Sequence, residues 1–167
     1  NRAMFYSNDT TTPFTNYNVA TGYESLRGST TPANNTGNYN TANGFQTMYN
    51  MTSGLGNTAV GSFSLFDTTT GNYNNSIGFN SLRYNTLGTN NVANGVNALF
   101  SNTTAGQNIA VGSNALYSQN FSNGNAVYLA NNVAVGVEAL YSNNPIATFN
   151  GKDNVAVGNY SLRGNTI

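Results

Sequence analysis

The chain has 167 residues, of which 6% are charged, and its formal net charge at pH 7 is zero. Zero net charge gives no electrostatic reason to expect binding to nucleic acid or to an anionic membrane surface, and no window has the apolar length of a membrane-spanning helix. Histidine and cysteine are absent, which removes disulfides, thiolate metal ligands and the commonest catalytic bases and nucleophiles. We therefore predict that the chain is not an enzyme, with no cofactor, no metal site, no nucleic-acid partner and no membrane insertion within this segment.

One short pattern, Asn-x-Ala-x-Gly-x-x-(Ala/Ser)-Leu, recurs along the whole chain and defines its repeat units. The glycines of these units are Gly22, Gly44, Gly61, Gly78, Gly95, Gly112, Gly136 and Gly158. Repetition at a short period is typical of solenoids, in which each unit buries its apolar face against its neighbours. We predict an all-β fold, a parallel β-solenoid (β-roll) of about nine rungs that is trimeric.

The start of the chain, residues 1–17, is interpreted as a partial rung of the same array. Ala3, Met4 and Phe5 match the tail of one more unit, whose glycine would precede the chain. We therefore treat residues 1–167 as a single repeat array and as a fragment of a longer protein.

An asparagine lies four residues before every repeat glycine. These residues are Asn18, Asn40, Asn57, Asn74, Asn91, Asn108, Asn132 and Asn154. Stacked rungs lie about 4.8 Å apart, so equivalent amides can hydrogen-bond from rung to rung. We predict a structural ladder of buried asparagines, satisfied by one another and by turn backbone.

The central units are the shortest, because their glycines follow one another at a spacing of 17 residues, whereas other units are 22 to 24 residues long. All the extra length falls after the leucine of the pattern and before the next asparagine. We predict that the regular half of each unit is structural and the variable half a surface loop. Each unit is expected to contain a strand of about four to six residues, a tight turn and a short second strand near the leucine.

A strand such as residues 108–112 has two different faces. Alternation places Asn108, Ala110 and Gly112 on one face, which suits a narrow interior. The opposite face carries Ile109 and Val111. Because a strand that is apolar on both faces is normally covered on both, we predict that copies of the same protein cover the outer face.

Charged residues avoid one another at equivalent positions, where like charges about 4.8 Å apart would repel. The position five residues after the glycine holds Arg27, Tyr49, Phe66, Arg83, Phe100, Tyr117, Tyr141 and Arg163, with no two arginines on neighbouring units. The carboxylates are also scattered. Glu24 and Glu138 share a position but lie about five spacings of 4.8 Å apart, whereas a glycosidase pair needs about 5–10 Å.

Residues 57–65, Asn-Thr-Ala-Val-Gly-Ser-Phe-Ser-Leu, resemble the head repeats of trimeric autotransporter adhesins. The longer run of residues 98–112 resembles repeat regions of phage-type tail fibres and of bacterial surface fibre proteins. The resemblance implies parallel β-rolls with three chains wound side by side. It also implies an extracellular location, on a cell surface or a virion surface.

The leading functional hypothesis is a non-enzymatic structural or adhesive fibre segment that presents loops to a surface glycan or protein receptor. Aromatic rings beside amides suit sugars or another protein surface, and the candidate contacts are Phe14, Tyr17, Tyr39, Phe121, Tyr128 and Phe149. The structural alternative is that these aromatic residues pack back on the solenoid or across a subunit boundary. An alternative function is a self-assembling extracellular filament subunit with a mechanical role, since unpaired strand edges can pair with another copy.

A column of threonines supports a second alternative, an ice-binding β-solenoid. Thr30, Thr52, Thr69, Thr86 and Thr103 lie eight residues after the glycine in successive units. Regular arrays of outward threonines on a flat sheet are typical of ice-binding solenoids. The structural alternative is that threonine suits a β-edge and a turn.

Overall fold

The structure is a computed structural model that describes residues 17–119, 126–145 and 150–165. Within these ranges the protein is all-β, as predicted, with no α-helix and one 3₁₀ helix, Pro32–Asn34. This short helix lies in the first long insert, between the first two repeat units.

Parallel strand pairing organises the described chain. The strands are β1 Val19–Thr21, β2 Thr41–Asn43, β3 Thr58–Val60, β4 Asn75–Ile77, β5 Val92–Asn94, β6 Ala105–Gly106, β7 Ile109–Val111, β8 Tyr128–Leu129, β9 Val133–Val135 and β10 Val155–Val157. Eight of them form one sheet in the order β1-β2-β3-β4-β5-β7-β9-β10, and β6 pairs with β8. Equivalent residues of neighbouring units face each other, as Ala59 and Ser76 do. This register is consistent with a parallel β-solenoid.

The interior consists of small and aliphatic side chains contributed by every unit. The middle residue of each strand points inward, and Ala42, Ala59 and Ala93 are at most 1% exposed. The leucine position fills the rest of the interior with Leu26, Met48, Leu65, Leu82, Leu99, Leu116 and Leu140. This apolar column, continuous from unit to unit, is the main core, and Ala105, Tyr128 and Ala130 form a second, smaller buried cluster.

The segment between the glycine and the leucine is a turn, so the expected second strand near the leucine is wrong. The strands of the main sheet are also shorter than expected, at three residues each. The reason is the backbone: Asn97 and Leu99 have φ of 55° and 52°, in the left-handed region, which a strand excludes. Hydrogen bonding between units nevertheless continues through the turn, because the Leu82 N–H donates to the Ala98 carbonyl at 2.9 Å.

The asparagine side chains form a continuous ladder through the interior. Asn74 donates to Asn57 Oδ1 from its backbone N–H at 2.9 Å and from Nδ2 at 3.0 Å. Its Nδ2 also reaches the Gly88 carbonyl at 2.9 Å, and its own Oδ1 accepts from Asn91. Each buried amide of this kind therefore joins three successive units.

The glycine of the pattern lies where two backbones approach closely. At Gly95, φ is 144° and an added Cβ would lie 2.4 Å from the Gly112 carbonyl oxygen. A side chain at this position would therefore overlap the next unit and force the two turns apart.

Candidate functional site

A row of exposed tyrosines runs along the array at the position five residues before the repeat glycine. Tyr17, Tyr39 and Tyr73 are 68%, 60% and 57% exposed. The rings of Tyr17 and Tyr39 stack with centroids 5.4 Å apart and an interplanar angle of 10°. Gly56 occupies the intervening unit, and an added Cβ there would lie 2.9 Å from the Tyr73 ring. The Tyr73 ring therefore lies over the glycine, and we call these three residues the tyrosine strip.

The tyrosine strip occupies an unfavourable backbone conformation. Tyr39 and Tyr73 have φ of 57° and 56°, in the left-handed region that Gly, Asn and Asp adopt most readily. Other units place Gly56, Asn90 and Asn131 at the same position with similar φ. The left-handed conformation therefore belongs to the repeat, and tyrosine adopts it here at a higher cost than Gly or Asn would.

The Asn38 side chain hydrogen-bonds to the backbone of both stacked tyrosines, Tyr17 and Tyr39. Its Oδ1 accepts the backbone N–H of Tyr17 at 2.6 Å and that of Tyr39 at 2.8 Å. One side chain therefore fixes the backbone of two consecutive units beneath the stacked rings. This arrangement presents the two rings as a common surface.

The other candidate contacts lie elsewhere. Tyr128 is 7% exposed, and its hydroxyl accepts a hydrogen bond from Gln119 Nε2 at 2.7 Å. Burial raises the pKa of Tyr128 to about 12, although the Gln119 hydrogen bond opposes this rise. Its position favours the structural alternative, in which the aromatic side chain packs on the array. Phe14, Phe121 and Phe149 lie outside the described residues.

The outward side of the main sheet is uncharged and largely apolar. We call the residues three and one positions before the glycine, together with the residue directly after it, the sheet face. Its exposed aliphatic residues include Val19, Val60, Ile77, Val92, Val96, Ile109, Val135, Val137, Val155 and Val157. No position of the sheet face is charged in any of the eight units. With spacings of about 4.8 Å between strands and 3.3 Å between residues, it measures roughly 35 by 15 Å.

The column five residues after the glycine is a stack of aromatic rings and guanidinium groups. Phe100 and Tyr117 have centroids 4.9 Å apart at an interplanar angle of 7°, and Tyr117 continues the stack onto Tyr141 at 5.0 Å. Arg27 lies 4.7 Å from the Tyr49 ring centroid at the other end. Each such cation–π contact contributes about 0.5–1 kcal/mol at an exposed site.

The threonine column lines a groove rather than a flat surface. Thr52, Thr69 and Thr86 border an open groove of about 740 Å³, whose lining also includes Asn50 and Asp67. The column is therefore recessed, unlike the flat sheet on which the ice-binding alternative depends. Asp67 and Tyr84 were not singled out from the sequence, because the sequence does not show which columns flank a depression.

The carboxylates of the described residues are engaged in bonds between units. Glu24 Oε2 accepts from Gln46 Nε2 at 2.8 Å, and Glu138 pairs with Arg163. Among the described residues, no group of three or more acidic side chains is placed to hold a metal ion. Across the same residues, no helix combines the length and hydrophobicity needed to cross a membrane.

Comparison of this chain with protein families, with curated proteins and with solved structures found no match. Function is therefore inferred from the geometry of the chain itself.

Proposed function

We propose that this chain is a non-enzymatic structural segment of an extracellular fibre, on a cell surface or a virion surface. In this proposal about nine rungs form a stiff rod roughly 40 Å long, and three copies associate along the sheet face. The single observation that carries the proposal is the uncharged, apolar outer side of the parallel sheet.

The composition of the sheet face supports association with other copies. Val92 and Ile109, on neighbouring strands, are 38% and 41% exposed. A typical protein has about a quarter of its residues charged, yet the sheet face has none. Parallel sheets are normally covered on both faces, and contiguous exposed apolar patches mark association sites.

The dimensions of the sheet face are large enough for a specific interface. A face of roughly 35 by 15 Å has an area of about 500 Å². Three such faces that meet around a common axis bury up to about 1,500 Å² in total, above the roughly 1,000 Å² at which specific interfaces begin. A second copy of the same chain also has the matching spacing between strands, so its side chains can interdigitate along the full length.

The tyrosine strip is the surface that this fibre would present to a receptor. Three exposed rings along a rigid array offer a large contact area at low conformational-entropy cost. Sugar rings and protein surfaces both pack on aromatic faces, and the strip shares no residue with the sheet face. Receptor binding and assembly therefore use different residues.

Sedimentation equilibrium tests the assembly. We expect the wild-type chain to form discrete trimers and the double variant Val92→Lys/Ile109→Lys to be monomeric, because two lysines about 4.8 Å apart repel and cannot be desolvated. The matched control is Ser53→Lys/Thr70→Lys, which places two lysines at equivalent exposed positions of neighbouring units outside the sheet face. This control should remain trimeric.

Other outcomes of the same experiment contradict the proposal. A monomeric wild-type chain would exclude assembly through the sheet face. Open-ended polymers would favour the filament alternative. Thermal hysteresis in a freezing assay, lost on Thr69→Tyr/Thr86→Tyr, would favour the ice-binding alternative.

Binding of the chain to whole cells tests the receptor role. The triple variant Tyr17→Ala/Tyr39→Ala/Tyr73→Ala should lose binding. The matched control is Tyr160→Ala, since Tyr160 is also 60% exposed and also left-handed, with φ of 60°, but lies outside the strip. Equal loss in the control and the triple variant would exclude a specific role for the strip.

A further inference from the structure

The groove beside the threonine column, which we call the threonine groove, is a second recessed surface with its own chemistry. Its lining includes Thr52, Thr69 and Thr86, eight residues after the glycine of their units, and Asn50, Asp67 and Tyr84, six residues after it. It runs across several units and shares no residue with the sheet face or the tyrosine strip. Its volume of about 740 Å³ lies in the range of ligand sites.

The threonine side of the groove presents hydrogen-bond acceptors. The hydroxyl groups of Thr52, Thr69 and Thr86 each donate to the carbonyl oxygen of the threonine in the next unit, at 3.0, 3.3 and 3.2 Å. Their hydrogens are therefore committed within the protein. What these hydroxyl groups can offer a ligand is oxygen lone pairs, together with their methyl groups.

Asp67 and Tyr84 add a carboxylate and an aromatic ring to the lining of the groove. Asp67 Oδ1 accepts from Asn50 Nδ2 at 2.8 Å, which holds the carboxylate in place. No ion pair of the described residues involves Asp67. The Tyr84 ring, 41% exposed, is braced edge-on by Phe100 at a centroid distance of 5.0 Å.

Arg83 does not line the groove, but its guanidinium lies 5.7 Å from the centroid of the Tyr84 ring. Arg83 lies 4.7 Å from the Phe63 ring centroid, and its Nη1 donates to Asn80 Oδ1 at 2.6 Å. Within the described part of the chain, no lysine or arginine lines the groove. Among its described lining residues, the groove therefore has one carboxylate, that of Asp67, and no cation that could pair with an acidic ligand.

These contacts define the ligand by its chemistry. A groove of acceptors requires a ligand rich in donors, and an exposed ring favours a ligand with an apolar face. The pattern repeats about every 4.8 Å along the groove, close to the advance of one pyranose in an extended glycan. We propose that the threonine groove binds an uncharged linear polysaccharide lengthwise, with sugar hydroxyls donating to Asp67 and the threonines and one ring stacking on Tyr84.

Isothermal titration of the full chain with linear hexasaccharides tests this proposal. The probes are neutral hexamers of glucose, mannose, galactose and N-acetylglucosamine, a hexamer of galacturonate, and a hexalysine peptide as a donor-rich cation. We expect at least one neutral hexamer to bind, with no binding of the uronate hexamer or hexalysine. Asp67→Asn should weaken binding about tenfold, which corresponds to one hydrogen bond to a charged group.

Two further variants separate occupation of the groove from damage to the fold. Thr69→Tyr fills the groove and should abolish binding, whereas Thr70→Tyr, at the exposed neighbouring position, should leave it unchanged. Circular dichroism checks that each variant is folded. If Thr69→Tyr does not fold, the nearly isosteric Asp67→Asn variant still tests the site.

The outcomes that overturn the groove site are distinct from those that overturn the proposed fibre. Binding of no neutral hexamer, binding of hexalysine in its place, or equal loss in Thr70→Tyr would exclude the site. Sedimentation of the wild-type chain and cell binding through the tyrosine strip do not involve groove residues. Both would therefore be unaffected by a failure of the groove proposal.

Discussion

At the scale of single residues, the fold depends on side chains that tolerate a left-handed backbone. The leucine position has φ between 48° and 52° in every described unit, from Leu26 to Leu162. The positions two after and five before the glycine are also left-handed in most units. None of these three columns contains Val, Ile or Thr, because branching at Cβ makes this conformation more costly. The absence of branched residues is a sequence signal for the turn that hydrophobic periodicity alone does not show.

The first prediction tests whether the left-handed backbone at Leu99 disfavours a residue branched at Cβ. Leu99 is fully buried, with φ of 52°. Leu99→Met should cost less than about 1.5 kcal/mol, as volume-conserving core substitutions do; Met48 already occupies the equivalent position with φ of 51°. Leu99→Ile should cost about 1–2 kcal/mol more, because isoleucine resists the left-handed region. Urea unfolding of the two variants measures the difference, and equal costs would contradict this account of the turn.

The second prediction concerns the pH dependence of stability at Tyr128. Its folded pKa is about 12, above the ordinary value of about 10. The folded state therefore keeps its proton where the unfolded state releases it, so the stabilisation is complete below pH 10 and is lost as pH rises toward 12. The loss should reach about 3 kcal/mol.

The variant Tyr128→Phe isolates this effect. At pH 8 it should be about 1 kcal/mol less stable than the wild-type chain, because Gln119 loses its acceptor. Between pH 10 and pH 12 the wild-type chain should lose its advantage and become the less stable of the two. Urea unfolding at pH 8, 10 and 11.5 follows the two chains, and a difference that stays constant with pH would exclude the assigned shift.

At the scale of the structural elements, the asparagine ladder connects each strand to the next. Asn91 accepts from the backbone N–H and Nδ2 of Asn108 at 3.0 and 3.1 Å and donates to the Ala105 carbonyl at 2.9 Å. Asn91→Ala should therefore cost about 3 kcal/mol or more, since it leaves several buried groups unsatisfied. Asn94→Ala, on the exposed side of the same unit, should cost less than about 0.5 kcal/mol. Thermal unfolding compares the two, and similar losses would show that the ladder does not stabilise the array.

The elements also show how far the sequence could predict this fold. The constant spacing between Asn91 and Gly95 fixes which residues point inward and how neighbouring units pair, so the parallel register and the asparagine column follow from the pattern. The turn in place of the second strand was missed, because the left-handed backbone at Asn97 and Leu99 shows in the sequence only as the absence of branched residues from those columns. The aromatic residues beside amides included Tyr17 and Tyr39, but the place of Tyr73 in the same strip and its contact with Gly56 needed the structure.

The candidate binding surfaces could not be predicted from the sequence, because each is formed by residues of several units. The groove at Asp67 is a depression between two columns of residues. Its depth depends on the conformation of the turn and not on residue type. Tyr128 shows the opposite case: its insert resembles an exposed loop in sequence, yet the hydrogen bond with Gln119 and the pairing of β8 with β6 bury its ring. Composition of a loop is therefore a weak guide to exposure in a stacked array.

At the scale of the whole molecule, the array is one-dimensional, because each strand of the main sheet pairs only with the strands of neighbouring units. The stability of such arrays is approximately a sum over units and the interfaces between them. Removing one complete unit should therefore preserve the fold and lower its stability, whereas a deletion that shifts the pattern should destroy it.

Deletion of residues 75–91 tests this expectation, because it removes 17 residues, which is the spacing of the central units. The deletion joins Asn74 to Val92, so an asparagine of the ladder still lies four residues before Gly95. We expect a folded chain with a β-rich circular dichroism spectrum and a lower unfolding midpoint. Deletion of residues 75–92 removes one residue more and moves Asn74 to the outer face of the strand, because side chains alternate. That variant should not fold into the array, and two deletions of equal stability would show that the register is not what holds the units together.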